Sequence, residues 1–279
     1  MVIRYDAAVK LLLVTKGHPF DRPAFFALFD ALPDVAWTHV EHPAAPWLMA
    51  PERLRAFDLL VFYDMPGLLF RPATPPDRID PPDAMKAGME ALLAEGKPLL
   101  FLHHALAGWP AWDRWAEIIG GRFHYTPDPA RGIIDSGYRH DVTHRVRVVA
   151  DHPVTDGLDD GFTITDELYL TRINEADKLP LLRSGHRFEA ENFHSADLAV
   201  RGRMHANDGW HHPPGSDLIA WAKRAGNSPV VYIQCGDGPS AYGNPGYRRL
   251  LSNAVAWLTG PDAGPWARNF TGMPAGKPG

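Results

Sequence analysis

The sequence has almost no cysteine. Its single thiol, Cys235, cannot close an intramolecular disulfide, and no thiolate metal cluster can be built from it. No apolar run approaches the roughly 18 residues of a membrane span. The first residues carry no apolar core followed by a small-residue cleavage site, so a cytoplasmic protein with no membrane partner is expected. A positive excess is missing too. The chain has 28 Lys and Arg against 33 Asp and Glu, a formal charge of −5, which argues against nucleic acid as a partner. No Gly-x-Gly-x-x-Gly follows the first apolar run, and neither a Walker loop nor Gly-x-Ser-x-Gly occurs. Nucleotide cofactors and serine hydrolysis therefore lose their usual signatures. Repeats and low-complexity segments are absent as well.

What is present is globular in balance, with 45% hydrophobic and 22% charged residues, and the 279 residues suit one large α/β domain. The 27 prolines predict long, rigid loops, and the 14 histidines, several of them clustered, mark where chemistry is to be sought. Short apolar runs at 9–15, 57–63 and 98–103 end in turn residues, as strands buried on both faces do, and 35–40 reads as a further strand. Helical stretches lie between them: one capped by Asp21, one over 83–95 stopped by Gly96, and one carrying Trp109, Trp112 and Trp115 and ending at Gly120-Gly121. Trp at every third position favours the core over a dimer face, and a homo-oligomer stays open. The five prolines of 71–82 predict a loop. Further strands are expected at 145–149, 166–170, 179–183, 218–223 and 229–234, with a closing helix at 245–258.

This alternation predicts an α/β fold with a doubly wound, mostly parallel sheet and helices on both faces. Residues 1–260 read as one domain with an irregular insertion at about 185–215, and 261–279 as a Gly/Pro-rich tail lying over the surface.

In an open parallel sheet, ligands bind beyond the carboxyl ends of the strands. That rule selects Gly17-His18, Asp64-Met65, His103-His104-Ala105 and Cys235-Gly236-Asp237-Gly238. His103-His104 stands between an apolar strand and a helix expected to begin near Ala107, whose free N–H groups would suit an anion. The plain alternative is that one imidazole packs under the helix and the other hydrogen-bonds locally. Asp166-Glu167 is an acidic pair suited to acid–base work or cation binding, or else one carboxylate in solvent and one capping a turn. His205, His211 and His212 match no zinc spacing, and a solvated loop is the better reading. Cys235 has no basic partner nearby in sequence and reads as buried and inert.

Five motifs in order carry a family resemblance: Gly17-His18-Pro19-Phe20, Phe101-Leu102-His103-His104-Ala105, the stretch from Asp151-His152-Pro153 to Gly157-Leu158, Asp166-Glu167-Leu168-Tyr169, and the strand and helix of 230–257. With them the chain resembles the ThuA-like proteins, a family of trehalose utilisation, over most of 9–260. The resemblance implies a flavodoxin-like, class I glutamine amidotransferase-like fold and a carbohydrate ligand. At the elbow where amidotransferases hold their nucleophilic Cys, this chain has His103, and imidazole cannot form a stable thioester, so amidotransfer is rejected. The chain departs from the family pattern after the last strand, where Gly236-Asp237 stands in place of Gly-His. Asp237 can accept a hydrogen bond or ligate a cation, while a neutral base would have to come from elsewhere, with His194 and His205 of the insertion as candidates.

The expectation is thus a protein of carbohydrate catabolism, acting on trehalose or a related glycoside or oxidised sugar by acid–base or metal-assisted chemistry. His103, Asp166 and Glu167 are the candidate catalytic residues. His18, His104, Trp109, Tyr169, Asp237 and Tyr242 are the candidate sugar-binding ones, with aromatic faces for the ring and polar groups for its hydroxyls. A divalent metal such as zinc would be held by His103 or His205. Two other classes stay open: a sugar-binding or regulatory protein without catalysis, and a metal-dependent hydrolase of other small molecules.

Overall fold

A computed structural model describes residues 8–272. The apolar runs become strands β1 (Val9–Lys16), β2 (Val35–Glu41), β3 (Leu59–Asp64) and β6 (Leu99–Leu102), joined by β12 (Ser228–Ile233). They pair in parallel in the order β2-β1-β3-β6-β12. Successive side chains of a strand point to opposite faces, and the core divides accordingly. Leu11, Leu13, Val61 and Leu100 belong to one apolar cluster, and Leu12, Val14, Phe62 and Phe101 to the other.

Each cluster is closed by helices. On the first face lie α1 (Arg22–Asp30), α8 (Pro245–Thr259) and α9 (Ala263–Asn269), contributing Phe25, Phe29, Leu250, Leu251 and Ala263. On the second lie α4 (Asp83–Glu95) and α5 (Asp113–Ile119), contributing Met89, Leu92, Trp115 and Ile118. Caps set the helix limits. The Asp21 carboxylate accepts from the Ala24 N–H at 3.0 Å, and Gly96 and Gly120 end α4 and α5 in left-handed conformations. The chain is α/β and doubly wound over this half.

Beyond β12 the same sheet continues antiparallel through β11 (Leu218–Ala225), β9 (Leu179–Ser184) and β7 (Gly137–Val148). β7 also pairs with β8 (Gly161–Leu170) and with the short β10 (His194–Ser195), making ten strands in all. Among the described residues no helix is long and apolar enough to cross a membrane.

Three expectations are corrected. The proline-rich stretch is not a plain loop: β4 (Leu68–Arg71) and β5 (Thr74–Arg78) pair as a hairpin with its own two-stranded ladder. Prolines are tolerated there because neither strand continues into a larger sheet. No α-helix begins near Ala107. A 3-10 turn, His103–Ala107, follows β6, and α5 starts only at Asp113. Trp109 is held outside the helix at φ +42°, because the following Pro110 disfavours α geometry at the residue before it. The stretch expected as a tail includes α9, whose Trp266 packs on Trp257 of α8 at 5.2 Å between ring centres. Residues 273–279, like the first seven, lie outside the described part of the chain.

Candidate functional site

The loops after β1, β3, β6 and β12 gather at one edge of the sheet, and β8 crosses to meet them. The hinge of this meeting is Gln234. Its side-chain oxygen accepts from the Tyr169 N–H at 3.0 Å, and its carbonyl accepts from His103 Nδ1 at 2.6 Å. The second bond fixes the imidazole so that Nε2 points into the site.

Three groups converge on that nitrogen. The Tyr169 hydroxyl lies 2.7 Å away, Glu167 Oε2 3.1 Å and Asp237 Oδ1 3.3 Å. His103 itself is 0% exposed and sits at φ +46°, a left-handed conformation rare outside glycine. Burial disfavours its charged form, but the Asp237 and Glu167 carboxylates outweigh burial and hold its pKa well above the usual imidazole value.

Alternation along β8 separates the acidic pair. Glu167 and Tyr169 share the face turned to His103, while Asp166 points the other way. Asp166 accepts from the backbone N–H groups of Gly236 at 2.7 Å and Asp237 at 3.0 Å, clamping the loop that carries Asp237. Burial raises the Asp166 carboxyl to about 6, against the pull of His103 and of these bonds. The carbonyls of the same loop are held as well, since Tyr63 donates to Gly236 at 2.8 Å and Tyr242 to Asp237 at 2.9 Å. A side chain at Gly236, φ +121°, would run into the Tyr247 hydroxyl at 2.4 Å, so only glycine fits.

Glu167 has a second partner that sequence reasoning missed. His140 Nε2 stands 3.0 Å from its Oε1. Burial acts to raise the Glu167 carboxyl, but His103 and His140 dominate and keep it well below the carboxylate range. In return, the bond to Glu167 raises His140 above the ordinary imidazole value. A bulge delivers His140. Between β7 and β8 the register passes from Arg139↔Leu168 to Val142↔Asp166, three residues against two, and Asp141 takes φ +55°. The extra residue turns Tyr138 and His140 toward the site, while Val142 and Val146 fall on the opposite core. The only trace of this in the sequence is an Asp, a residue type that tolerates positive φ.

Above Glu167 opens a cavity of about 510 Å³. Its floor includes His18, His140, Glu167 and Tyr169, and its aromatic walls include Phe123, Tyr125 and Tyr138. One rim is the tip of the β4–β5 hairpin, Phe70 to Ala73, and the other is α6 (Ala196–Val200) with Gly202 and Met204. The 185–215 stretch thus supplies a wall.

The remaining candidates fall into two groups. His18 faces the cavity with its ring stacked on His104 at 4.6 Å, and burial lowers the pKa of both. His104 is itself buried under Tyr63. Trp109 is elsewhere, lining a second cavity of about 380 Å³ with His42 and Met65. Tyr242 is buried and reaches the site only through the Asp237 carbonyl. His205 lies beside His140 and His194, with ring centres 5.9 and 5.3 Å apart, and away from His103. Among the described residues, the metal-capable group is His103, Glu167 and Asp237, whose donor atoms lie within 4.8 Å of one another. Cys235 is buried, and desolvation pushes its thiol pKa up, so it offers no thiolate nucleophile.

A model of the ThuA family, described as trehalose utilisation, matches residues 19–258. Solved structures agree on the fold. A putative ThuA-like protein from Parabacteroides merdae ATCC 43184 superposes with a TM-score of 0.62 at 14% identity, over 90% of this chain and 90% of that one. One from Bacteroides uniformis ATCC 8492 gives 0.58 at 16% identity, over 90% and 91%. A protein from Salmonella typhimurium LT2 described as cytoplasmic gives 0.54 at 11%, over 90% and 99%. No curated protein matches the chain.

Proposed function

Because the chain belongs to the ThuA family, we propose that it is an enzyme of carbohydrate catabolism, taking trehalose, a related glycoside or an oxidised sugar into the cavity above Glu167. The observation that carries this reading is a buried carboxylate held between two imidazoles at the floor of an aromatic-walled cavity of about 510 Å³. Tyr125 and Tyr138 offer faces on which a sugar ring stacks, and Glu167, His140 and Tyr169 offer groups that hold or move protons at its hydroxyls. His103 does not reach the cavity. It contacts Glu167 and Asp237 from below. The cytoplasm is the compartment that fits a chain with one unpaired thiol.

The complete burial of His103 also favours a second reading, a sugar-binding protein without turnover. One experiment separates the two. Disaccharides, glycosides and their oxidised forms are titrated by calorimetry, and the mixtures are examined chromatographically for product. Conversion by the native chain, lost in a folded Glu167→Gln variant, supports the enzyme. Binding without product at any pH supports the second reading, and no binding of any sugar overturns both.

A further inference from the structure

One imidazole nitrogen is surrounded by more partners than a proton can serve. His103 Nδ1 donates to the Gln234 carbonyl at 2.6 Å, which leaves Nε2 facing Tyr169 O, Glu167 Oε2 and Asp237 Oδ1 at 2.7, 3.1 and 3.3 Å. A single N–H at Nε2 can be directed at only one of the three. Donors held at about 2.1 Å from a common ion lie roughly 3.0 to 3.4 Å apart at octahedral or tetrahedral angles, the spacing of Nε2 from both carboxylates.

We propose that His103 Nε2, Glu167 Oε2 and Asp237 Oδ1 form a binding site for one divalent first-row transition ion, Zn2+ or Mn2+.

The surroundings are those of a built metal site. Each donor is oriented from behind: His103 by the Gln234 carbonyl, Glu167 by His140, and Asp237 by Asp166 and Tyr242 through its backbone. Two carboxylates balance a double positive charge once the ion takes the place of the proton on His103 Nε2. One nitrogen among the donors favours a borderline ion over Mg2+ or Ca2+, which take oxygen alone. Three protein donors leave coordination positions free. Entry is open, because Asp237 is 28% exposed and Glu167 borders the cavity. The free positions suit vicinal hydroxyls or a carbonyl of a sugar, so the site deepens the catalytic reading above and rests on it for what the ion does. Binding of the ion is measured without any sugar, so the two readings fail separately.

The test uses the full, untagged chain, dialysed against chelator and titrated calorimetrically with ZnCl2, MnCl2 and MgCl2. The expected result is saturation at one Zn2+ or Mn2+ per chain, with weaker Mg2+ binding and a raised melting temperature in the ion-loaded protein. Asp237→Asn and His103→Gln should each weaken binding by about tenfold or more, and His205→Ala should not. Should His103→Gln fail to fold, Asp237→Asn, on a partly exposed loop, still decides. Absence of stoichiometric Zn2+ or Mn2+ binding by the native chain overturns the proposal, as does binding that survives Asp237→Asn unchanged or is lost in His205→Ala.

Discussion

At the residue scale, the two members of Asp166-Glu167 have opposite tasks because neighbours on a strand face opposite ways. Glu167 borders the cavity, and Asp166 holds the loop bearing Asp237 by its backbone. Asp166→Ala would leave the Gly236 and Asp237 N–H groups without their acceptor, and a loss of about 2–4 kcal/mol in unfolding free energy is expected. Chemical denaturation measures it, and a loss under about 1 kcal/mol would show that water replaces the carboxylate. Strand-end position and motif alone placed His103, Glu167, Tyr169 and Asp237 near one another, and the structure brings their side chains together. Trp109 went elsewhere, since Pro110 keeps it out of the helix to which its spacing had assigned it. His140 was not legible at all. No periodicity shows a bulge, and nothing local couples His140 to a carboxylate 27 positions further on at Glu167.

At the element scale, the bulge of β7 decides which side chains enter the cavity. Asp141 pays for it with positive φ, a conformation that costs a β-branched residue about 1–2 kcal/mol. Asp141→Val should therefore destabilise the chain by roughly that amount, while Asp141→Gly should be neutral or stabilising. Equilibrium unfolding of the pair is the check, and equal stabilities would mean the bulge relaxes to another geometry. The inner parallel strands were readable because residues buried on both faces leave unbroken apolar runs, as at 11–14 and 59–63, whereas the edge strand β2 is only partly buried. The antiparallel half was readable only in fragments. β7 mixes exposed and buried positions on either side of a register shift, so its apolar pattern never runs long enough to announce twelve residues of strand.

For the whole molecule, buried histidines set the response to acid. Burial, first of all, lowers His124, His144 and His152 to about 4, so the fold keeps them neutral where the unfolded chain takes up protons from about 6.5. A folded pKa below the unfolded one means that stability is full above 6.5 and falls as the pH drops toward 4. Burial lowers His18 and His104 as well and adds to this fall, while Asp166, raised to about 6, and Asp64, also raised by burial, work in the opposite sense over part of that window. His103 and His140, shifted upward, exert their effect above 6.5 and leave the window flat. The expected outcome is a net fall in unfolding free energy between pH 6.5 and 4, measured by denaturant titration at each pH. A flat or rising profile would show that these imidazoles find water or partners in the fold. The cavity has a last consequence at this scale. Apart from His18, its floor belongs to strands β7 and β8 of the large sheet, whereas its rims, the hairpin around Phe70 and the short helix before Gly202, stand outside the parallel ladder. Rims of that kind can be exchanged or lengthened without refolding the scaffold, so the shape of the cavity's mouth can change while its floor stays intact.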